Sequence, residues 1–96
     1  MTKRDASIIG AVSILRGRAR ESEAMELLER IAVQVQPIMR ARRWHVPHLH
    51  EFFPKDPHLL GININRGQAI RIRLRPHHSP DSFLPWEDIL GTMLHE

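Results

Sequence analysis

The 96-residue sequence predicts an α+β fold: a long amphipathic helix, a β-hairpin and a short C-terminal helix in one domain. Three observations carry this. Apolar residues recur at three- and four-residue steps through Ala24, Leu27, Leu28, Ile31, Val35, Ile38 and Met39, the period of a helix with one buried face. Apolar residues and arginines alternate strictly from Ile70 to Arg75, the period of a strand. Helical spacing then returns in Trp86, Ile89, Leu90 and Met93.

Taken in order, Ile8 to Leu15 is short, rich in β-branched residues and closed by Arg16-Gly17-Arg18, which suits a first strand. The long helix follows, with Ser22 as expected N-cap and Glu23 and Glu26 in the first turn, where carboxylates favour the helix dipole. Pro37 removes one backbone hydrogen bond and is expected to kink the helix or begin its last turn. Val46 to Phe53 reads as a second strand, ended by Pro54 and Asp56-Pro57. Leu60 to Ile64 then faces Ala69 to Arg75 across a turn in which Gly67 supplies a positive φ. In that second arm Ile70, Ile72 and Leu74 are expected to pack on the core, while Arg71, Arg73 and Arg75 present three guanidinium groups on the other face. Pro85 fits the first position of the last helix, with Glu87 and Asp88 in its first turn. At about 100° per residue, His95 falls opposite the apolar stripe, so it points towards solvent or a cleft.

The 42% apolar and 26% charged content is that of an ordinary globular protein, and no apolar run is long enough to span a membrane. The basic start, Met1 to Arg4, leads into no convincing cleavage site, and with no cysteine the expected location is intracellular. The lack of cysteine also excludes disulfide and thiolate-metal schemes. A net charge of +3 permits contact with nucleic-acid phosphates without requiring it.

Seven histidines raise the question of metal binding. His48 and His50 share a strand face at i, i+2 spacing but have only Glu51 nearby, short of the three or four ligands a site needs. His77-His78 reads as a solvated loop with Asp81, and His45 and His58 as surface or hydrogen-bonding residues. Arg40, Arg42 and Arg43 complement the negative end of the long helix, a structural role that outweighs a nucleic-acid cluster. The arginine stripe likewise suits an edge strand protected from aggregation, or one that pairs with an extended peptide by strand addition. The chain closes on His95-Glu96, the first half of an H-E-x-x-H helix. In the complete motif two imidazoles one turn apart grip zinc and the glutamate activates its bound water.

The order of local strings resembles the WLM zinc metallopeptidase family, relatives of the Spartan-type DNA-protein crosslink proteases. It is carried by Ala24 to Leu28, by Ile38-Met39-Arg40 with Trp44, by Leu49-His50-Glu51-Phe52-Phe53-Pro54, and by Leu59 to Asn65 with Gly67. It continues through Ile72 to Arg75, Phe83-Leu84-Pro85 and Ile89 to Glu96. The resemblance implies that residues 1–96 are a single partial domain with a zincin-like fold, a long helix, a small twisted antiparallel sheet and an active-site helix. It further implies His95 as zinc ligand, Glu96 as general base, and Ile70, Arg71, Ile72, Arg73, Leu74 and Arg75 as a substrate-facing edge strand. It implies protein substrates, DNA and ubiquitin-like modifiers as partners, and a nuclear location. Because the motif stops before its second histidine, the 96-residue chain is expected to hold no catalytic zinc and to cleave nothing. The competing expectation is a non-enzymatic basic α+β module that binds nucleic acid or a protein partner through Arg71, Arg73 and Arg75 with Arg40, Arg42 and Arg43.

Overall fold

A computed structural model describes residues 4–96, so the basic start at Met1 to Lys3 lies outside the described residues. The elements run β1 (Ile9–Ser13), α1 (Glu21–Ala41), β2 (Val46–Glu51), β3 (Gly61–Ile64), β4 (Ala69–Ile72) and α2 (Trp86–His95). The expected α+β class holds, and each expected element is present.

The strand directions differ from the antiparallel expectation. The sheet order is β1-β2-β4-β3, with β1 parallel to β2, β2 parallel to β4, and only the β3–β4 hairpin antiparallel. The reason is the connection between the first two strands: α1 carries the chain back along the sheet, and a helical crossover delivers a parallel neighbour. Consequently β4 is an inner strand and β3 takes the edge, which corrects the reading of Ile70 to Arg75 as an edge.

One face of the sheet carries the core. Leu49, Ile70 and Ile72 meet Leu28, Ile31 and Ala32 of α1 and Ile89 and Met93 of α2 in a single buried cluster. Each leucine or isoleucine wholly removed from water there contributes about 1.5–3 kcal/mol. The short α2 depends on this burial, since a helix of that length is marginal on its own.

The helix starts differ by two residues and by one from expectation. Arg20, not Ser22, stands at the N-cap of α1, in a left-handed conformation at φ 61°, and its carbonyl accepts the Ala24 N–H at 3.0 Å. The Arg20 guanidinium also pairs with Glu23 at 2.6 Å, an exposed link within the first turn. Pro85 caps α2 rather than opening it, its carbonyl accepting from Asp88 and Ile89. At the other end α1 continues through Pro37 to Ala41.

The alternation in β4 fails after Ile72. Arg71 is exposed, but Arg73 and Arg75 are buried, with 1% and 0% of their surface accessible. The chain leaves the ladder there, so the two-residue period no longer assigns faces. Both guanidinium groups are stacked and hydrogen-bonded: Arg73 against Phe53, Arg75 against Phe83, at 4.8 and 4.9 Å from the ring centres. Arg73 donates to the carbonyls of Pro54, Asp56 and Leu59 at 2.8, 3.1 and 3.2 Å. Its burial lowers its pKa from the ordinary arginine value.

Candidate active site

His95 and Glu96 come together at the C-terminal end of α2, where His95 is exposed and Glu96 half-buried. The outward placement expected for His95 follows from Ile89 and Met93, which tie the opposite side of the helix to the core. The pair lies on the rim of a cleft of about 680 Å³ between α2, the β3–β4 hairpin and the C-terminal end of α1. Val35, Met39, Ile70 and Met93 give this cleft an apolar floor, while Arg42, Arg43 and Arg66 bring positive charge to it.

Two contacts hold α2 to the edge strand. Gly61 of β3 lies so close to α2 that a Cβ there would sit 2.8 Å from the Thr92 methyl and 3.1 Å from Glu96 Cγ. Asn63 then donates from Nδ2 to the main-chain oxygen of Glu96 at 3.1 Å, while its Oδ1 accepts the Gly67 N–H at 2.6 Å. One side chain thus links the hairpin turn to the end of the helix. The sequence reading missed Asn63 as a site residue, although it lies within the string Leu59 to Asn65; its position opposite Glu96 depends on the tertiary fold.

The other candidates separate. Arg40 pairs with Asp5 at 3.5 Å, whereas Arg42 lies over the exposed Trp44 at 4.9 Å and Arg43 reaches the cleft. With Arg73 and Arg75 buried, the six arginines form no common surface, which corrects the stripe expected to bind nucleic acid. His45 reaches the Ser7 carbonyl at 2.7 Å, and His77 stacks on Phe53. His48 and His50 stack on one another with centroids 5.6 Å apart, but Glu51 faces the other way and is buried against Arg75. Among the described residues, no group of three or more histidine, aspartate or glutamate side chains is arranged to hold a metal. His95 offers one nitrogen donor and Glu96 one carboxylate, donor types that zinc accepts.

The pattern of the WLM domain matches residues 7–96. The chain belongs to the WLM domain family. This WLM domain is 41% identical over 88 residues to the DNA-dependent metalloprotease WSS1 of Saccharomyces cerevisiae, covering 92% of the chain and 33% of that protein. It is 34% identical over 83 residues to the DNA-dependent metalloprotease WSS1 homolog 2 of Schizosaccharomyces pombe, covering 79% of the chain and 29% of the relative. It therefore spans about a third of the length of these curated relatives. The crystal structure of Wss1 from S. cerevisiae superposes with a TM-score of 0.94 at 39% identity, over 99% of this chain and 73% of that one. Wss1 from S. pombe gives 0.80 at 30% identity, over 96% and 75%. The WLM domain is thus homologous to metalloproteases and shares their fold.

Proposed function

We propose that this WLM domain is the N-terminal part of a zinc-dependent endopeptidase domain, with His95 as a zinc ligand and Glu96 as the general base. Its substrates are proteins associated with or crosslinked to DNA, its setting is DNA repair in the nucleus, and ubiquitin-like modifiers are further partners. The observation that supports this best is the placement of His95 and Glu96 together on a cleft beside a sheet edge, in a chain akin to DNA-dependent metalloproteases. His95 would help hold a zinc ion, which when bound would supply a Lewis acid that makes water more acidic and polarises a carbonyl. Glu96 is the carboxylate suited to take the proton. The edge strand β3 replaces β4 as the strand that aligns an extended substrate, because β3 ends the sheet and lies against α2.

As a 96-residue polypeptide, the domain contributes one imidazole where a catalytic zinc takes three protein ligands, so hydrolysis does not proceed on these residues alone. The test is protease assay with zinc on casein and on DNA-bound histone, using the 96-residue chain and a chimera extended with the segment of the S. cerevisiae relative that follows its region of similarity. The chimera should cleave, and H95A or E96Q within it should not. Cleavage by the 96-residue chain would refute its predicted inactivity, and a folded chimera that cleaves nothing would refute the protease reading.

A binding-module reading retains Arg42 and Arg43 at the cleft, with Arg40 and Arg71 elsewhere on the surface. It requires DNA affinity that falls steeply with salt and is lost on replacing these arginines.

A further inference from the structure

The face of the sheet opposite the core carries a cluster that the protease reading does not use. Strand register aligns Ser13 of β1, His50 of β2 and Arg71 of β4 in one row, with Ile62 of β3 at its end. The adjacent row is Ala11, His48, Ala69 and Ile64. His48 and Arg71 are exposed and His50 is half-buried, so the cluster is open to solvent. Neither row contains a carboxylate.

The geometry points to an oxyanion site, in which Arg71, His48, His50 and the Ser13 hydroxyl together bind a phosphate group. Each contributes a donor of the kind such a group takes: a guanidinium fork, two imidazole nitrogens and a hydroxyl. The rings of His48 and His50 are stacked within 11° of parallel, and Nδ1 of His50 is in contact with Ser13 Oγ. With His50 protonated, Nδ1–H donates to Ser13 Oγ, which leaves both Nε2–H and the Ser13 hydroxyl proton for the anion. Parallel strands set the row's spacing at the backbone, so the donors are arranged before a ligand arrives.

Charge decides against a cation. Two imidazoles are too few for a metal site, and Arg71 adds a like charge beside them. Burial, then His48, then Arg71 depress the His50 pKa. A bound anion opposes the last two effects, so phosphate binding and His50 protonation reinforce one another. The titratable and charged groups on the two rows are His48, His50 and Arg71; Ser13, Ala11, Ala69, Ile62 and Ile64 add none.

The phosphate has two sources, a nucleic-acid backbone or free phosphate, and one experiment separates them. Inorganic phosphate is titrated into the 96-residue chain at fixed ionic strength while NMR follows the His48 and His50 ring protons and Arg71 Nε–H. Saturable shifts are expected at all three residues. Arg71→Gln should weaken binding about tenfold and Arg71→Lys less, the amide spectrum of each variant reporting that the fold is intact. A short single-stranded oligonucleotide forms the second arm. If it shifts the same resonances and phosphate displaces it, the source is a nucleic-acid backbone; if phosphate alone binds, the source is free phosphate. Shifts that are absent or unsaturable in the wild-type chain, or binding undiminished in folded Arg71→Gln, would overturn the site. No outcome depends on zinc or on proteolysis, so this site and the protease reading stand or fall separately.

Discussion

Arg75 donates from Nε to Glu51 Oε2 at 2.8 Å, with both side chains completely shielded from solvent. Glu51 closes β2, and Arg75 follows β4, so the pair bridges neighbouring strands just past the end of their ladder. The second Glu51 oxygen accepts the Leu15 N–H at 3.1 Å, and Arg75 donates again to the Pro80 carbonyl at 2.8 Å. Removing one partner strands a charge in the interior. E51Q or R75M should each destabilise the fold by about 3–5 kcal/mol, read from urea denaturation, while replacement of both by apolar residues should recover much of the loss. Arg75 Nη2 is the buried side-chain polar atom without a partner among the described residues. Ordered water should occupy that position in a high-resolution crystal structure.

Gly61 sets how closely the edge strand approaches the end of α2. A methyl group there meets Thr92 and Glu96 side-chain atoms at 2.8 and 3.1 Å. G61A should cost about 1–3 kcal/mol in urea denaturation and shift the backbone amide resonances of His95 and Glu96. Unchanged resonances at those two residues would separate the glycine from the site.

Two other glycines should respond with opposite signs. At Gly10 a Cβ would lie 2.6 Å from the Pro47 carbonyl oxygen, a backbone atom that moves only if β1 and β2 part. G10A should therefore lower the thermal midpoint. Gly91 lies exposed within α2 with no atom within 4 Å of an added Cβ. G91A should raise stability by about 0.5–1 kcal/mol through helix propensity and the reduced freedom of the unfolded chain.

The depressed His50 pKa gives a defined pH response. Burial is the first cause, followed by the charges of His48 and Arg71. The unfolded chain binds a proton near pH 6.5, about the unperturbed value, and the folded chain resists until lower pH. The stability that His50 contributes by staying uncharged is thus fully present above about pH 6.5 and is lost as pH falls through the folded pKa. In low-phosphate buffer, H50Q should flatten this part of the stability profile, measured by urea melts across the range. A profile unchanged by H50Q would place the proton uptake at another histidine.

Much of this fold was legible because each pattern rests on local geometry. The helical steps from Ala24 to Met39, the Asn65–Gln68 turn and the outward direction of His95 need only the period of the element that bears them. The order β1-α1-β2 also contained the signal for a parallel pair, since a helix long enough to cross the sheet lies between those strands. Period two, however, says nothing about strand direction or about which strand lies at the edge. It assigned Arg73 and Arg75 to solvent because it presumed that β4 continued beyond Ile72. Their burial is set by Glu51, Phe53 and Phe83, partners distant in sequence, and no spacing rule reveals such a convergence. At the candidate site, His95 and Glu96 were readable as adjacent residues on one helix. The clasp from Asn63 was not, because it joins two elements that only the folded chain brings together.

The Arg73 guanidinium reaches three carbonyls of the connection between β2 and β3, at Pro54, Asp56 and Leu59. That connection has no helix or strand of its own, yet its course is fixed by a side chain from beyond the following hairpin. Exposed Lys55 would ordinarily invite tryptic nicking, but a protease must draw the surrounding backbone into an extended form, and doing so breaks those bonds. The segment should resist digestion until the hairpin itself opens, making cleavage after Lys55 a reporter of cooperative unfolding.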